Sequence, residues 1–344
     1  MKFIRFLLFP FALLYDLVTT IRNYFYDAGI FKSTSFNIPV IAVGNLSVGG
    51  TGKTPQIEYL IRLLQANKKV AVLSRGYKRK TKGFVLLNES HTVDDVGDEP
   101  LQFFKKFSNV SNVSIAVDAK RVNGIQQLKR LVNPDVILLD DAFQHRKVEA
   151  GFYVLLTKYD DIYANDFILP MGNLRESRRG AKRADVIVVT KCPENLSQLQ
   201  QQEIIKKLKA TQNQQVFFST ISYHEKTGGK RSILIEEIHK YEIVLITGIA
   251  NPSPLLGFLD KKGCKVHHQK FPDHHNFTSH EIKQIQATFE KLPAEKKIYL
   301  TTEKDYMRLS NRMHGLHYLE IESKFLENQE GFDFILLNSI HQNR

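Results

Sequence analysis

The sequence predicts an α/β protein whose mostly parallel sheet is flanked by helices, with a second, smaller α/β domain and an N-terminal helix. Two observations carry this prediction. Runs of apolar, largely β-branched residues alternate with helical patterns along most of the chain, and such runs are typical of strands buried on both faces of a parallel sheet. A Gly-rich stretch, Gly44–Pro55 (GNLSVGGTGKTP), lies between the first of these runs and the helical pattern that follows it.

Length and composition favour a folded protein of two domains. The chain has 344 residues, of which 42% are hydrophobic and 24% are charged, and this length exceeds that of one ordinary hydrophobic core. We predict an N-terminal helical segment at 1–36, a first α/β domain with the Gly-rich stretch at 37–215, a hairpin-type linker at 216–240, and a smaller α/β domain at 241–344.

The formal net charge of +12 favours anionic partners: nucleic acid, anionic membrane surfaces or phosphorylated substrates. Basic clusters lie at 75–82 and 175–183, and a solvated loop is the alternative interpretation of each. Neither cluster is interleaved with aromatic residues and no nucleic-acid-binding motif is present, so no nucleic acid partner is predicted. Cys192 and Cys264 form no disulfide framework and favour a reduced, cytoplasmic setting. No obligate protein partner is predicted.

The N-terminal segment, 1–36, is apolar and aromatic but carries Arg5, Pro10 and Asp16 within its first helical stretch. The apolar run is too short and too interrupted for a clear membrane span, and no signal-peptide cleavage site follows it. We predict an amphipathic helix that lies in the membrane interface. The alternatives are a helix packed on the protein's own core and a single uncleaved span.

From residue 38 onwards, strands and helices alternate regularly. The predicted strands of the first domain are Pro39–Val43, Val70–Ser74, Ser114–Val117, Val136–Leu139, Phe152–Leu156 and Val186–Thr190. The predicted helices of this part include Thr54–Ala66, Lys120–Leu131 and Leu196–Ala210. In the second domain, the predicted strands are Ile243–Thr247, Lys265–Gln269 and Ile298–Thr301, with helices that begin at Pro254 and Ser279.

The Gly-rich stretch predicts a phosphate-binding P-loop, because it joins a strand to a helix and resembles the pattern G-x-x-x-x-G-K-[ST]. Lys53 would reach the β- and γ-phosphates, and Thr54 would hold Mg²⁺. The backbone of the loop itself would bind the phosphates of ATP, at Gly49, Gly50, Thr51 and Gly52. Ser47 stands where the pattern has its first glycine, so a simple Gly-rich turn is the alternative. A P-loop in this context predicts a P-loop NTPase-like fold.

Asp140 and Asp141 directly follow the apolar run Val136–Leu139. Four apolar residues and an acid form a Walker B arrangement, which puts a carboxylate beside the Mg²⁺ of the P-loop. Capping of the next turn is the alternative role of Asp140. Gln144 and His145 follow at the carboxyl edge of the sheet, where ligands bind in open α/β folds, although both side chains could instead stabilise a turn.

The tetrapeptide Thr190-Lys191-Cys192-Pro193 ends a later strand. GTPases often carry [NT]-K-x-D at this place, and the Asp of that motif reads the guanine base. Pro193 stands at the position of that Asp, which argues against guanine and favours ATP.

Two acidic residues, Asp98 and Glu99, begin the helical pattern that starts near Leu101. Asp98 could be the helix cap and Glu99 a first-turn acid. Alternatively one of them is the general base that accepts a proton from the attacking hydroxyl, as a kinase requires.

Histidines are concentrated in the second domain at 267–280. The spacing of the first five gives no helical metal motif, and no cysteine completes a zinc set. A His–Asp relay that reaches an active site from the second domain is the favoured interpretation, and a metal site is the alternative.

Taken in chain order, the motifs resemble the tetraacyldisaccharide 4′-kinase family, the lipid A 4′-kinases of Gram-negative bacteria. They are GNLSVGGTGKTP, Ser74-Arg75-Gly76-Tyr77, GDEP at 97–100, DDAFQH at 140–145, Leu169-Pro170, Leu174-Arg175-Glu176, TGIANP at 247–252, FPDHHNF at 271–277 and TTEKD at 301–305. The resemblance covers nearly the whole chain, and Ser47 is a residue type that this family places in its loop.

The resemblance implies transfer of the γ-phosphate of ATP to the 4′-hydroxyl of an acylated glucosamine disaccharide 1-phosphate, which yields lipid IVA. It also implies a location at the cytoplasmic face of the inner membrane, peripheral or with a single N-terminal anchor. Beyond the P-loop, the resemblance implies that Asp98 is the catalytic base, that His274 is the partner of that base, and that Asp140 and Asp141 bind the metal. Arg175 and Glu176 would bind nucleotide, metal or substrate. The implied acceptor-binding residues are Arg75, Tyr77, Gln144 and His145.

The alternative function is that of a P-loop ATPase or GTPase that acts as a switch on a partner, without a small-molecule acceptor. Nucleotide hydrolysis that is independent of lipid would distinguish it. For the kinase, closure of the second domain would bring His274 to Asp98 and exclude water, which otherwise competes as acceptor.

Overall fold

The computed structural model describes residues 5, 7–293 and 295–342. The chain divides into two compact units, one formed by Met1–Ile221 together with Ser323–Arg344 and the other by Ser222–Glu322. The second unit is therefore inserted into the sequence of the first.

The first unit contains a nine-stranded sheet with helices. Its helices are α1 Phe9–Asp27, α2 Lys53–Gln65, α3 Val93–Val96, α4 Asp98–Phe107, α5 Arg121–Leu131, α6 Gln198–Leu208 and, at its C-terminal end, α10 Gln329–Gln342. Its strands are β1 Val40–Asn45, β2 Val70–Ser74, β3 Val85–Leu86, β4 Val113–Val117, β5 Val136–Asp140, β6 Phe152–Lys158, β7 Val186–Thr190, β8 Gln215–Tyr223 and β13 Ile321–Phe325.

The strand order in this sheet is β13-β8-β7-β6-β1-β5-β2-β4-β3. The strands from β8 to β4 pair in parallel, and β3 pairs antiparallel with β4. Strand β1 lies between β5 and β6, so that Val43 is opposite Asp140 on one side and Val154 on the other. All residues of β1, β2, β5 and β7 are buried, as expected when helices cover both faces. The predicted mostly parallel sheet with flanking helices is confirmed.

The second unit has a four-stranded parallel sheet of order β10-β9-β11-β12. Its elements are β9 Glu242–Thr247, α7 Ser253–Lys261, β10 Lys265–Lys270, α8 Ser279–Glu290, β11 Lys297–Thr302, α9 Glu303–Leu309 and β12 Leu316–Leu319. Alternate side chains of β9 pack into two different hydrophobic cores. Ile243 and Leu245 pack with α7, whereas Val244 and Ile246 pack with α8. A sheet covered by helices on both faces follows from this alternation.

The unit boundaries differ from the predicted segments at the C-terminal end. The predicted domain 241–344 includes α10, which belongs to the first unit. The reason is an aromatic cluster in which Phe332 of α10 packs against Tyr59 of α2, Phe217 of β8 and Phe325 of β13. The predicted linker 216–240 likewise contains most of β8, a strand of the main sheet.

Helix α1 leaves most of its apolar surface open. Ala12 is its one buried residue, and exposed large apolar side chains include Leu13, Leu14, Leu17 and Val18. Of the predicted N-terminal segment, residues 1–4 and 6 lie outside the described residues. None of the helices in the described part of the chain has the length and apolar character that a membrane crossing requires.

Candidate active site

The P-loop runs from the end of β1 to the start of α2, as predicted. Gly49 has φ +108° and Gly52 has φ +83°, values that favour glycine. Gly52 is also the N-cap of α2, and no side chain caps that helix terminus. Its N–H groups are therefore available to an anion. The end of β7 supports the loop, because Thr190 Oγ1 donates a 2.8 Å hydrogen bond to the carbonyl of Thr51.

Lys53, the first residue of α2, is held between two oxygens at the carboxyl edge of the sheet. Its Nζ donates to Asn45 Oδ1 at 3.2 Å and lies 3.6 Å from Asp141 Oδ1. Arg175 Nη1 contacts both oxygens of Asp141, at 3.0 and 3.1 Å. Burial alone would raise the pKa of Asp141, but the charges of Lys53 and Arg175 lower it below its usual value. Asp141 is thus a carboxylate shared by two cations.

Asp140 ends β5 and is almost fully buried. Burial raises its pKa to about 6, and the neighbouring charge of Asp141 adds to the increase. The hydroxyl of Ser74, at the end of the adjacent β2, donates to Asp140 Oδ2 at 3.0 Å. The two adjacent carboxylates, and the hydroxyl of Thr54 that follows Lys53 in α2, are hard oxygen donors, and Mg²⁺ prefers such donors. The residues predicted as metal ligands therefore fit Mg²⁺ chemically.

Arg121 was not predicted as part of this region. Its guanidinium donates to the carbonyls of Asp140, at 3.0 Å, and Asp118, at 2.6 Å. Burial lowers its pKa to about 10. Sequence alone did not reveal these contacts, because Ser74 ends β2, the neighbour of β5, and Arg121 follows β4, the next strand beyond β2.

A second network centres on the buried carboxylate of Glu176. Gln144 Nε2 donates to Glu176 Oε1 at 3.0 Å and to the carbonyl of Asn45 at 2.9 Å. Arg183 Nη2 also contacts Glu176 Oε1, at 2.8 Å. Glu176 and Gln144 therefore connect the loop after β5 to the residue that begins the P-loop turn. Arg183 was noted in the sequence only as one member of a basic cluster.

Helix α1 forms hydrogen bonds with three of the predicted site residues. Asn23 Nδ2 donates to Glu176 Oε2 at 2.8 Å. Arg22 Nη2 donates to the carbonyl of Gln144 at 3.1 Å, and the Tyr15 hydroxyl to that of Arg175 at 3.0 Å. The polar side of the helix is thus attached to the site, an arrangement that its apolar sequence did not predict.

The predicted acceptor residues follow the ends of β2 and β5. Arg75 and Tyr77 are exposed, with Tyr77 at 59%. Burial lowers the pKa of His145 to about 4, and the charge of Arg121 and the weaker charge of Arg75 contribute. His145 is therefore neutral at pH 7, so its ring offers both a donor and an acceptor.

Asp98 is buried at 3% exposure as the first residue of α4. The preceding Gly97 is the N-cap and has φ +93°. The charge of the next residue, Glu99, raises the pKa of Asp140, so the start of α4 lies near the predicted metal site. The helix start that holds Asp98 belongs to the same edge of the first unit as the P-loop.

His274 belongs to the second unit, in the loop between β10 and α8. Lys304 Nζ lies 3.1 Å from its Nε2, and Asp273 Oδ2 lies 3.9 Å from it. The adjacent His275 has different surroundings, since its Nε2 contacts both carboxylate oxygens of Glu281 at 3.0 Å and its ring stacks on Phe271. Within the described ranges, no group of three or more His, Cys, Asp or Glu side chains is arranged to hold a metal ion.

Comparison with known proteins tests the resemblance. The sequence profile of the family described as tetraacyldisaccharide-1-P 4′-kinase matches residues 4–341. The chain belongs to this family. It is 53% identical to the tetraacyldisaccharide 4′-kinase of Flavobacterium johnsoniae, over 100% of this chain and 99% of that one. It is 42% identical to the enzyme of the same name from Bacteroides thetaiotaomicron, over 94% of this chain and 90% of that one.

The family fold is also found in a solved structure. The crystal structure of LpxK from Aquifex aeolicus in complex with ATP is 29% identical and superimposes with a TM-score of 0.78, covering 98% of this chain and 99% of that chain. The predicted family is confirmed. So are the P-loop NTPase-like fold and the prediction of an ATP-dependent kinase.

Proposed function

We propose that the chain transfers the γ-phosphate of ATP to the 4′-hydroxyl of a tetraacyldisaccharide 1-phosphate and so produces lipid IVA. Family membership supports this acceptor. The single observation that carries the proposal is the position of Lys53, whose Nζ lies between Asn45 Oδ1 and Asp141 Oδ1 at the carboxyl edge of the sheet. The transferred phosphate would therefore contact the ammonium of Lys53, the uncapped N-terminus of α2 and a metal-binding carboxylate at one place.

The donor half of the site consists of the P-loop and its supports. The N–H groups at Gly49–Gly52 surround the phosphates, and Lys53 stabilises the charge that develops on the transferred group. Arg175 and Glu176 position residues of this donor half. Arg175 does so through its contact with Asp141, and Glu176 through its hydrogen bond from Gln144. Thr54, Asp140 and Asp141 would hold Mg²⁺, which when bound neutralises charge on the β- and γ-phosphates.

The acceptor half begins with Asp98 as general base. Its carboxylate accepts the proton of the 4′-hydroxyl as that oxygen attacks the γ-phosphorus, which requires a buried and ordered position such as the start of α4. His274 from the second unit pairs with Asp98 and stabilises the proton that the base has taken up. Lys304 Nζ lies 3.1 Å from His274 Nε2 and so helps to fix the position of the ring.

Arg75, Tyr77, Gln144 and His145 bind the disaccharide and its 1-phosphate. Arg75 supplies a guanidinium that suits a phosphate, and the neutral ring of His145 offers hydrogen bonds to sugar hydroxyls. The enzyme acts at the cytoplasmic face of the inner membrane as a peripheral protein. The exposed apolar side chains of α1 enter the interface, while the acyl chains of the acceptor stay in the bilayer.

The decisive experiment measures transfer of labelled γ-phosphate from ATP to tetraacyldisaccharide 1-phosphate. We expect a labelled lipid product that forms only when this acceptor is present. A matched reaction contains the acceptor without its 4′-hydroxyl. If ATP is consumed at the same rate with and without lipid, and no labelled lipid forms, the chain is a nucleotide switch rather than a kinase for this acceptor.

A further inference from the structure

A lysine that the proposed mechanism does not use lies against the P-loop. Lys191 directly follows β7, and its Nζ is 3.8 Å from the position that a Cβ would take on Gly50. The preceding residue, Thr190, forms the hydrogen bond to the carbonyl of Thr51 described above. Two successive residues at the end of β7 therefore meet two successive residues of the loop.

The backbone on either side of Lys191 is fixed by neighbouring strands. The carbonyl of Thr190 accepts a 2.9 Å hydrogen bond from the N–H of Tyr159, and the N–H of Cys192 donates a 2.9 Å hydrogen bond to Ser219. Lys191 itself has φ +58°, a conformation that is uncommon for residues other than glycine. Its side chain is thus presented to the loop from a defined position.

The charge of Lys191 is not neutralised within the described part of the chain. No hydrogen bond or ion pair joins its ammonium to a described residue, and Asp160, the carboxylate that acts on it, is paired with Lys158 at 3.3 Å. Burial lowers the pKa of Lys191, and the charges of Lys158 and Lys53 lower it further. A half-buried ammonium in this setting gains from an anion.

The strand order shows which part of a nucleotide Lys191 would meet. Across the sheet the order is β7, β6, β1, β5, so Lys191 and Asp140 lie on opposite sides of the P-loop strand. Lys191 Nζ lies at Gly50 of the loop, whereas Lys53 pairs with Asp141, which follows β5, so the two lysines meet the loop from its two sides. We propose that Lys191 binds the nucleotide on its nucleoside side, at the α-phosphate and ribose.

This inference also accounts for the pattern at Thr190–Pro193. Pro193 replaces the base-reading carboxylate of the guanine motif, whereas Lys191 is present. A lysine that contacts phosphate and sugar serves any nucleoside, so it is compatible with ATP. The inference rests on the nucleotide half of the proposed function, and it is tested by binding alone, so that its failure is distinguishable from failure of phosphoryl transfer.

The test is calorimetric titration of the full chain with Mg·ADP, and separately with Mg·pyrophosphate, which lacks the nucleoside and has two phosphates for the positions next to the predicted metal site, in the absence of lipid. Lys191→Met keeps the length of the side chain and removes its charge. We expect the dissociation constant of ADP to rise about 10-fold, because a hydrogen bond to a charged group is lost, and that of pyrophosphate to change less than about threefold. Lys158→Met, which removes the neighbouring charge, is the matched control and should change ADP binding less than about twofold.

Three outcomes would overturn the inference. They are an unchanged ADP affinity in Lys191→Met, equal losses in Lys191→Met and Lys158→Met, and a loss of pyrophosphate binding as large as that of ADP. Thermal unfolding of each variant verifies its fold. If Lys191→Met does not fold, Lys191→Asn takes its place, since Asn tolerates positive φ. Lys191→Arg keeps the charge and should retain ADP binding within about threefold.

Discussion

Asn23 on the N-terminal helix donates a 2.8 Å hydrogen bond to Glu176, a buried carboxylate that also binds Gln144 and Arg183. The amide of Asn23 faces Glu176 Oε2, while Gln144 and Arg183 share Oε1. Gln144 in turn binds the carbonyl of Asn45 at the end of β1. A continuous chain of hydrogen bonds therefore connects helix α1 to the start of the P-loop.

The first prediction tests this connection. Asn23→Ala leaves one oxygen of a buried carboxylate without its donor, which costs about 1.5–3 kcal/mol when the group is charged. We expect γ-phosphate transfer to detergent-dispersed acceptor to fall roughly 10-fold, since the loop after Leu174 loses a fixed position. Thr20→Ala, at an exposed position of the same helix, is the control. Equal activities of the two variants would show that Asn23 does not act on the site.

The second prediction concerns Lys53. Replacing it with Ala removes the charge that stabilises the transferred phosphoryl group, so kcat should fall by about 10²-fold or more. The measurement is steady-state transfer at saturating ATP and acceptor. Lys69→Ala, an exposed lysine beyond the far end of α2, should remain close to wild type. Near-normal turnover of the Lys53 variant would contradict the P-loop assignment.

The third prediction separates two roles of Asp98. As a general base it should affect kcat by about 10²–10⁴-fold when replaced with Ala, with little change in the dissociation constant of ATP. Asp94→Ala removes an exposed acid that pairs with Lys80 and serves as the control. If ATP binding collapses in the Asp98 variant while that of the control is intact, Asp98 is a metal ligand and not the base.

The fourth prediction distinguishes the adjacent histidines. His275 contacts Glu281 and stacks on Phe271, so His275→Ala should lower the melting temperature with a modest effect on kcat. His274→Ala should lower kcat by about 10-fold or more, because a partner of the base is lost, and leave the melting temperature nearly unchanged. Calorimetric melting and transfer assays on both variants check this. If kcat falls in His275→Ala and stays nearly unchanged in His274→Ala, the functional histidine is His275.

The fifth prediction concerns the exposed face of α1. Leu14→Ser with Leu17→Ser removes apolar side chains that are 60% and 56% exposed. Each loses roughly 1.5–3 kcal/mol of transfer energy when it no longer enters the lipid interface, so cosedimentation with anionic vesicles should weaken strongly. The hydrogen bonds of Asn23 are untouched by these changes. Undiminished vesicle binding would remove the membrane role from this face.

The parts of the site that are continuous in sequence were predictable. Lys53 and Thr54 follow their glycines, and Asp140 follows its own strand, so local pattern alone identifies them. Ser74 and Arg121 were missed as site residues because their contacts with Asp140 depend on the order of the strands in the sheet. That order is a property of the sheet and has no local signal in the sequence.

The domain boundaries show the same limit. Helix α10 was assigned to the second domain because it follows that domain in sequence, whereas the packing of Phe332 on Phe217 and Tyr59 brings it to the first unit. The segment that forms β13, Ile321–Phe325 (IESKF), has polar and charged residues at its centre and gave no sign that it completes the main sheet. The unit to which α10 belongs is decided by aromatic packing with residues distant in sequence, and position along the chain does not reveal that packing.

The return of the chain through β13 has a consequence for biosynthesis. The last strand and last helix of the kinase unit are made only after the whole inserted unit, residues 222–322, has left the ribosome. Until then β8 is an uncovered sheet edge, which can pair wrongly with other strands. The 2.5 Å hydrogen bond from the hydroxyl of Tyr59, on the P-loop helix α2, to Asp333 also cannot form until Asp333 has been made. Packing of the helix that begins with Lys53 thus depends on residues that are made after the inserted unit.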